Sequence, residues 1–265
     1  MALRSANLVV MTKAAEKAGK ALLRDFGEVE QLQVSKKGPS DFVSNADTKA
    51  EEILRAELTK ARPAFGLMAE ESTTSRPDTE FTWIIDPLDG TSNFLHGIPH
   101  WAVSIGLAKG DQMIAGVVYE PIRDEMFWCE RGAGAYLNAN RLRVSGRTNL
   151  ESLLIATGIP FKGHESPTFM TELQNVAPKV AGIRRMGAAS LDLAYVAAGR
   201  YDGYWERNLK AWDVAAGIAL VMEAGGSVSP FTRNDNPVFK GDLLASNQSI
   251  HKQLCELLGA AYTII

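Results

Sequence analysis

Residues 83–94 read Trp-Ile-Ile-Asp-Pro-Leu-Asp-Gly-Thr-Ser-Asn-Phe, and no other stretch constrains the chain as strongly. An apolar run, Phe81 to Ile85, stops at Asp86. Pro87 fixes its own φ and cannot donate to a sheet ladder. Asp89, Gly90, Thr91 and Ser92 are turn and helix-start residues. The pattern predicts a buried strand that ends at Asp86, turns sharply and opens a short helix. Two carboxylates three residues apart are then held at the turn. Beside them the amides of Gly90 and Thr91 point outward from a helix start, where anions are favoured. Carboxylates suited to a metal next to bare amides suited to phosphate point to metal-assisted phosphoryl chemistry. Asp-Gly is also a hairpin signal, but a surface hairpin has no use for an acid that closes an apolar strand.

At 265 residues the chain can form one large α/β domain or two small ones. Its 46% hydrophobic and 22% charged residues are ordinary for a globular protein. A formal net charge of −3 argues against general nucleic-acid binding. The apolar run Leu8–Met11 is too short for a signal-peptide core, and no stretch is long enough to span a bilayer, so no membrane role is expected. Cys129 and Cys255 have neither metal nor redox spacing, which suggests a reducing compartment and a cytoplasmic location. His96, His100, His164 and His251 are scattered. That distribution favours a hard, oxygen-ligated metal over zinc.

Periodicity predicts helices over 5–26, 45–61, 167–180, 189–198, 211–224 and 248–259. Strands are expected over 29–35, 65–68, 153–157, 183–186, 203–206 and 243–246. Residues 101–108 and 112–119 form a hairpin around Gly110-Asp111, and 124–129 and 133–137 continue an antiparallel sheet. Lys36-Lys37-Gly38-Pro39 reads as a loop, and Ser44-Asn45-Ala46-Asp47 as a helix start of capping-box type. Helices and strands in such blocks indicate a layered α/β or α+β architecture.

The 83–94 segment resembles the signature of the inositol monophosphatase family, the magnesium-dependent, lithium-sensitive phosphatases. Three further stretches match that family in order. They are Asp41-Phe42-Val43-Ser44-Asn45-Ala46-Asp47, Ala69-Glu70-Glu71-Ser72 and Trp212-Asp213-Val214-Ala215-Ala216-Gly217. The likeness covers essentially the whole chain and is nearest to the bacterial, SuhB-type branch. It implies a five-layer αβαβα sandwich, a fold that periodicity alone does not reveal. It also implies a single domain over 1–265, with the larger antiparallel sheet and metal motifs in about 1–145 and the substrate contacts in about 146–265.

By this resemblance Asp86 bridges two Mg²⁺ ions. Glu70 and the carbonyl of Leu88 hold the first, and Asp89 and Asp213 complete the second; a third, weaker ion would also use Glu70. Asp47 pairs with the Thr91 hydroxyl, and with Glu70 they orient the attacking water. Gly90 and Thr91 receive the phosphate. Gly187, Ala189 and Glu206 contact a substrate hydroxyl. Glu71 and Lys36 support the metal site from behind. The sequence departs from the family at Ala69, where Gly is usual, and at Lys210, where some relatives have His. The resemblance further implies a small phosphorylated polyol as substrate, inhibition by Li⁺ and a homodimer. Related enzymes act on fructose 1,6-bisphosphate, histidinol phosphate, NADP or 3′-phosphoadenosine 5′-phosphate. Some bacterial relatives engage RNA or transcription machinery, a secondary role in which nucleic acid need not be touched directly.

Overall fold

The computed structural model describes residues 4–28, 39–72, 77–160 and 167–262. Two long helices come first, α1 (Ala6–Phe26) and α2 (Pro39–Ala61). Ser5 starts α1 by accepting the Leu8 amide on its hydroxyl, and Gly27 follows its last residue. The strand expected over 29–35 and the lysine loop with Lys36 lie outside the described residues. Helix α2 begins at Pro39 rather than Asn45. Proline at a first helical position gives up only an amide that would have had no partner. Ser44 to Asp47 therefore lie within the helix, and the capping reading of that stretch is wrong.

Seven strands form the first sheet in chain order: β1 (Gly66–Ala69), β2 (Phe81–Asp89), β3 (Ala102–Lys109), β4 (Gln112–Glu120), β5 (Glu125–Glu130), β6 (Gly134–Leu137) and β7 (Asn140–Arg141). The β1–β2 pair is parallel and the others antiparallel. The short helix α3 (Thr91–Leu95) leaves the end of β2. The second sheet has β8 (Leu154–Thr157), β9 (Gly182–Arg184), β10 (Gly203–Glu206), β11 (Gly226–Pro230) and β12 (Leu243–Asn247), ordered β11-β12-β10-β8-β9. Helices α4 (Pro167–Val176), α5 (Ala189–Ala197), α6 (Ala211–Glu223), α7 (Pro237–Lys240) and α8 (Gln248–Leu258) complete the described elements.

Alternation along the strands explains the layering. Side chains point to opposite faces at successive strand positions. Trp83 and Ile85 of β2 join Leu8, Met11, Leu22 and Leu54 in a core under α1 and α2. Ile84, between them, joins Leu191, Val214 and Leu220 on the other face. In β10 and β12 the pattern repeats. Tyr204, Leu243 and Ala245 face α5 and α6, whereas Trp205 and Leu244 face Phe169, Ile250 and Leu254 of α4 and α8. The inner strands of both sheets are thus buried on both faces, which is why they read as continuous apolar runs. The result is five layers: α1 and α2, the first sheet, α5 and α6, the second sheet, then α4 and α8. Helix α6 is apolar almost all round, as a central helix must be. Gly116 lets it approach closely, because a Cβ there would lie 2.6 Å from the Ala216 carbonyl oxygen.

Strand β2 does not stop at Asp86 as expected. Asp86 pairs with Ser104 and Asp89 with Ala102, so β2 carries one extra residue opposite β3. This is a β-bulge, a place where a proline without an amide is tolerated. In a regular strand, positions three apart face opposite sides. The extra residue resets the alternation and lets Asp86 and Asp89 serve one site. Helix α4 ends at Val176 and tightens into a 3₁₀ turn at Ala177–Lys179, because Pro178 disfavours helical geometry before it. Strand β9 ends at Arg184, short of the expected Met186. Strands β7 and β11 and helix α7 were not expected at all. β11 has one large apolar residue, Val228, and exists because β12 pairs with it.

Candidate active site

The site forms where strand ends and helix starts meet. Strand β1 runs parallel to β2 with Ala69 opposite Ile85, so the chain delivers Glu70 beside Asp86. Bulged β2 adds Asp89, whose Oδ2 accepts the Ser190 amide at 2.8 Å and the Ser190 hydroxyl at 2.5 Å. The first turn of α6 adds Asp213, whose Oδ2 accepts the Lys210 amide at 2.7 Å. Helix α2 adds Asp47, which is buried and whose Oδ1 has no hydrogen-bond partner.

These acids act on one another. Burial raises the pKa of Asp86 first, and then the charges of Glu70, Asp89, Asp213 and Asp47 raise it further. Glu70 is raised by burial and then by Asp213 and Glu71. Asp89 is raised by burial, against the Ser190 hydrogen bonds that favour its charge. Asp47 is pushed up to about 8 by burial, Glu70, Glu71 and Glu51. Gathering so many acids out of water is unfavourable unless a cation joins them. Among the described residues no three His, Cys, Asp or Glu side chains already close on one point as a finished metal site. The donor set still fits Mg²⁺, which takes one or two carboxylates and keeps several waters. Carboxylates and a strand-end carbonyl are also the hard oxygen donors it prefers.

The expected pairing of Thr91 with Asp47 is not found. The Thr91 hydroxyl gives its proton to the Leu88 carbonyl at 2.9 Å. That carbonyl lies one turn back in the chain, within immediate reach of the hydroxyl. The Leu88 amide donates to Asp86 Oδ1 at 2.9 Å and closes the bulge. Gly90, at φ +92, starts α3; a Cβ there would sit 2.9 Å from the His100 carbonyl oxygen. Gly90 is half-buried and Thr91 exposed, so this side of the site is open to solvent.

The second half brings Gly187, Ala189 and Glu206 to the other side. Gly187 has φ +81 and Ala189 is the first residue of α5. Glu206 Oε2 accepts the Tyr204 hydroxyl at 2.5 Å. Burial moves Glu206 up to about 7, and the charge of Asp213 contributes. Glu71 is exposed, and its amide donates to Glu51 Oε2 at 2.8 Å.

Several residues of the site escaped sequence reasoning. Glu51 also takes the Ser72 hydroxyl, fixing the Glu70–Ser72 loop. Its signal was available, because it lies one helical turn after Asp47 on the same face. Asn93 Nδ2 donates to the carbonyls of His100 and Met186, both at 2.8 Å, and so joins α3 to the approach to Gly187. Gly158 makes room for Glu206, since a Cβ there would fall 1.9 Å from its Oε1. Asp192 is buried with Oδ1 unpartnered. Ser190 and Gly158 had no local signal, because their partners are distant in sequence.

Comparison with known proteins gives a consistent picture. The sequence pattern described as the inositol monophosphatase family matches residues 5–262. An inositol-1-monophosphatase of Caulobacter vibrioides is 54% identical over 256 residues, covering 95% of this chain and 100% of that one. A protein of Pseudomonas aeruginosa called Nus factor SuhB is 44% identical over 253 residues, covering 93% of each. The crystal structure of extragenic suppressor protein suhB from Bartonella henselae superposes with a TM-score of 0.87 at 53% identity, covering 96% of this chain and 98% of that one.

Proposed function

Because this chain belongs to the inositol monophosphatase family of magnesium-dependent phosphatases, we propose that it hydrolyses inositol monophosphate, or a similar small polyol phosphate, to the free polyol and phosphate. The observation that carries this reading is the convergence of Glu70, Asp86, Asp89 and Asp213 from three separate places in the chain, each made a stronger base by burial and the first three also by neighbouring acids. With the Leu88 carbonyl they would hold two or three Mg²⁺ ions. Bound there, Mg²⁺ would make water nucleophilic near neutral pH and offset phosphate charge.

The residues of the chain supply position and orientation. Glu70, Asp47 and Thr91 would orient the attacking water, with Thr91 turning its hydroxyl from Leu88. The Gly90 and Thr91 amides would receive the phosphate oxygens, where donors fixed in advance stabilise developing charge. Glu206, held by Tyr204, and the backbone at Gly187 and Ala189 would bind a polyol hydroxyl. Glu71 would act through the loop that Glu51 fixes. Lys36 would contribute from the lysine loop, and Lys210 would lie near the leaving group. Water attacks phosphorus directly and no phosphoenzyme forms. We read the chain as one domain acting in the cytoplasm as a homodimer, with Li⁺ as inhibitor.

Phosphate release from inositol 1-phosphate, with and without Mg²⁺ and alongside Asp89→Asn, tests the reading. Release that needs Mg²⁺ and disappears in the variant supports it. A folded protein that spares inositol 1-phosphate but cleaves fructose 1,6-bisphosphate, histidinol phosphate, NADP or 3′-phosphoadenosine 5′-phosphate keeps the chemistry and changes the substrate. The Pseudomonas relative's name favours a second role as a transcription-associated binding protein. Partners retained by Asp86→Asn would place that role beside catalysis.

A further inference from the structure

We propose that the cavity at the far end of helix α6 binds a small molecule with an apolar body and a cationic head. The cavity is about 470 Å³ and lies between the β3–β4 turn, the outer end of β5, the last turns of α6 and the segment leading into α7. That volume falls within the range of small-molecule sites, roughly 300–1,000 Å³. It is separate from the carboxylate site. Asp213 begins α6, and a helical rise of about 1.5 Å per residue puts Met222 roughly 14 Å further along the axis.

Its walls are apolar. Met113, Ile218, Ala219 and Met222 face it, and Cys129 is part of its lining. Protein interiors are otherwise close-packed, and atoms lining a hollow lose their dispersion partners. Two methionines give the walls the pliability common at small-molecule sites. Met222 is 39% exposed, an apolar side chain left partly in water at the mouth.

Its polar groups carry a net negative charge. Asp111, Glu223 and Asp235 are acidic and Arg131 is the base among the lining residues. Arg131 is directed to Gln112 Oε1, at 2.5 Å. Glu223 is fixed in the wall by the amides of Gly132 and Gly134, at 3.1 and 2.9 Å. The Cys129 thiol is raised by burial and then by the Glu223 charge, so the field at the cavity floor is negative. A cation tethered to an apolar group meets both features, whereas an anion of the same shape meets only one.

The test uses the full chain with 1-naphthylmethylamine and its isosteric anion 1-naphthaleneacetate, read by saturation-transfer NMR. Turnover is not the readout, so failure here leaves the phosphatase reading untouched. The amine is expected to bind saturably and at least tenfold more tightly than the acid. Ala219→Phe, which fills the cavity, should abolish binding with the thermal midpoint retained. If that variant does not fold, Met222→Trp closes the mouth instead. Asp235→Asn should weaken the amine severalfold. Equal binding of amine and acid would overturn the charge assignment. Amine binding that survives in the filled variant, or none below millimolar concentration, would overturn the site.

Discussion

Ser190 holds Asp89 across 101 residues of sequence, through its amide at 2.8 Å and its hydroxyl at 2.5 Å. The first sheet thereby receives its second strand-end acid already oriented by the layer beneath. Hydrogen bonds to a charged group contribute about 1.5–3 kcal/mol, and partners that orient a ligand typically matter by about 10–100-fold in metal affinity. Ser190→Ala should therefore raise the Mg²⁺ concentration for half-maximal phosphate release by about tenfold or more. Ser190→Thr, which keeps the hydroxyl, should recover most of it. A variant with unchanged Mg²⁺ dependence would show that Asp89 is oriented without help.

Gly158 and Glu206 form a second such pair. Because a Cβ at Gly158 would collide with the Glu206 carboxylate, Gly158→Ala must displace the group proposed to bind a substrate hydroxyl. Loss of an interaction equal in ground and transition states raises KM and leaves kcat unchanged. We expect KM for inositol 1-phosphate to rise about tenfold and kcat to change little, by the same reasoning. A fall in kcat at constant KM would place Glu206 in the chemical step instead.

Gly116 tests the packing of the central layer. Its missing Cβ is replaced by the backbone of Ala216, which cannot rotate away as a side chain would. Overpacking of this kind costs about 1–3 kcal/mol. Gly116→Ala should lower the urea midpoint accordingly with the slope of the transition unchanged. An unaltered midpoint would mean that α6 shifts without loss.

These pairs mark the boundary of what the sequence made legible. Glu70, Asp86, Asp89 and Asp213 were readable because each ends an apolar run or opens a helix, which are local patterns. The two-sided burial of the sheets was implicit in runs such as Trp83-Ile84-Ile85. The bulge at Pro87 was misread as a strand end, because proline forbids a ladder bond but not a bulge. Ser44 to Asp47 read as a helix start because they are good capping residues, but the earlier start at Pro39 places them inside the helix. Thr91 was paired with Asp47 although a carbonyl closer in the chain could take its proton. Ser190, Gly158 and Gly116 could not be read at all, since each is defined by a partner that only tertiary packing brings near.

His251 ties α8 to the second sheet and makes stability depend on pH. Its Nδ1 lies 2.7 Å from the Ser246 hydroxyl and its Nε2 2.8 Å from the Ser229 hydroxyl. Each hydroxyl can donate or accept, so a neutral ring in either tautomer satisfies both contacts. Burial lowers its pKa to about 4, against an ordinary value near 6.5. The unfolded chain therefore binds the extra proton between about pH 6.5 and 4 while the folded chain does not. Stability from this group is complete above pH 6.5 and falls as pH falls through that window, by at most roughly 3 kcal/mol. The acids of the active site, whose pKa values are raised, change stability in the opposite direction over nearby pH, so wild type alone does not isolate the histidine. His251→Gln keeps a donor and an acceptor but cannot titrate. The difference in unfolding free energy between wild type and His251→Gln should slope downward for wild type from pH 6.5 to 4 and be flat above. A difference that stays level across that range would show that protonation of His251 is not coupled to folding.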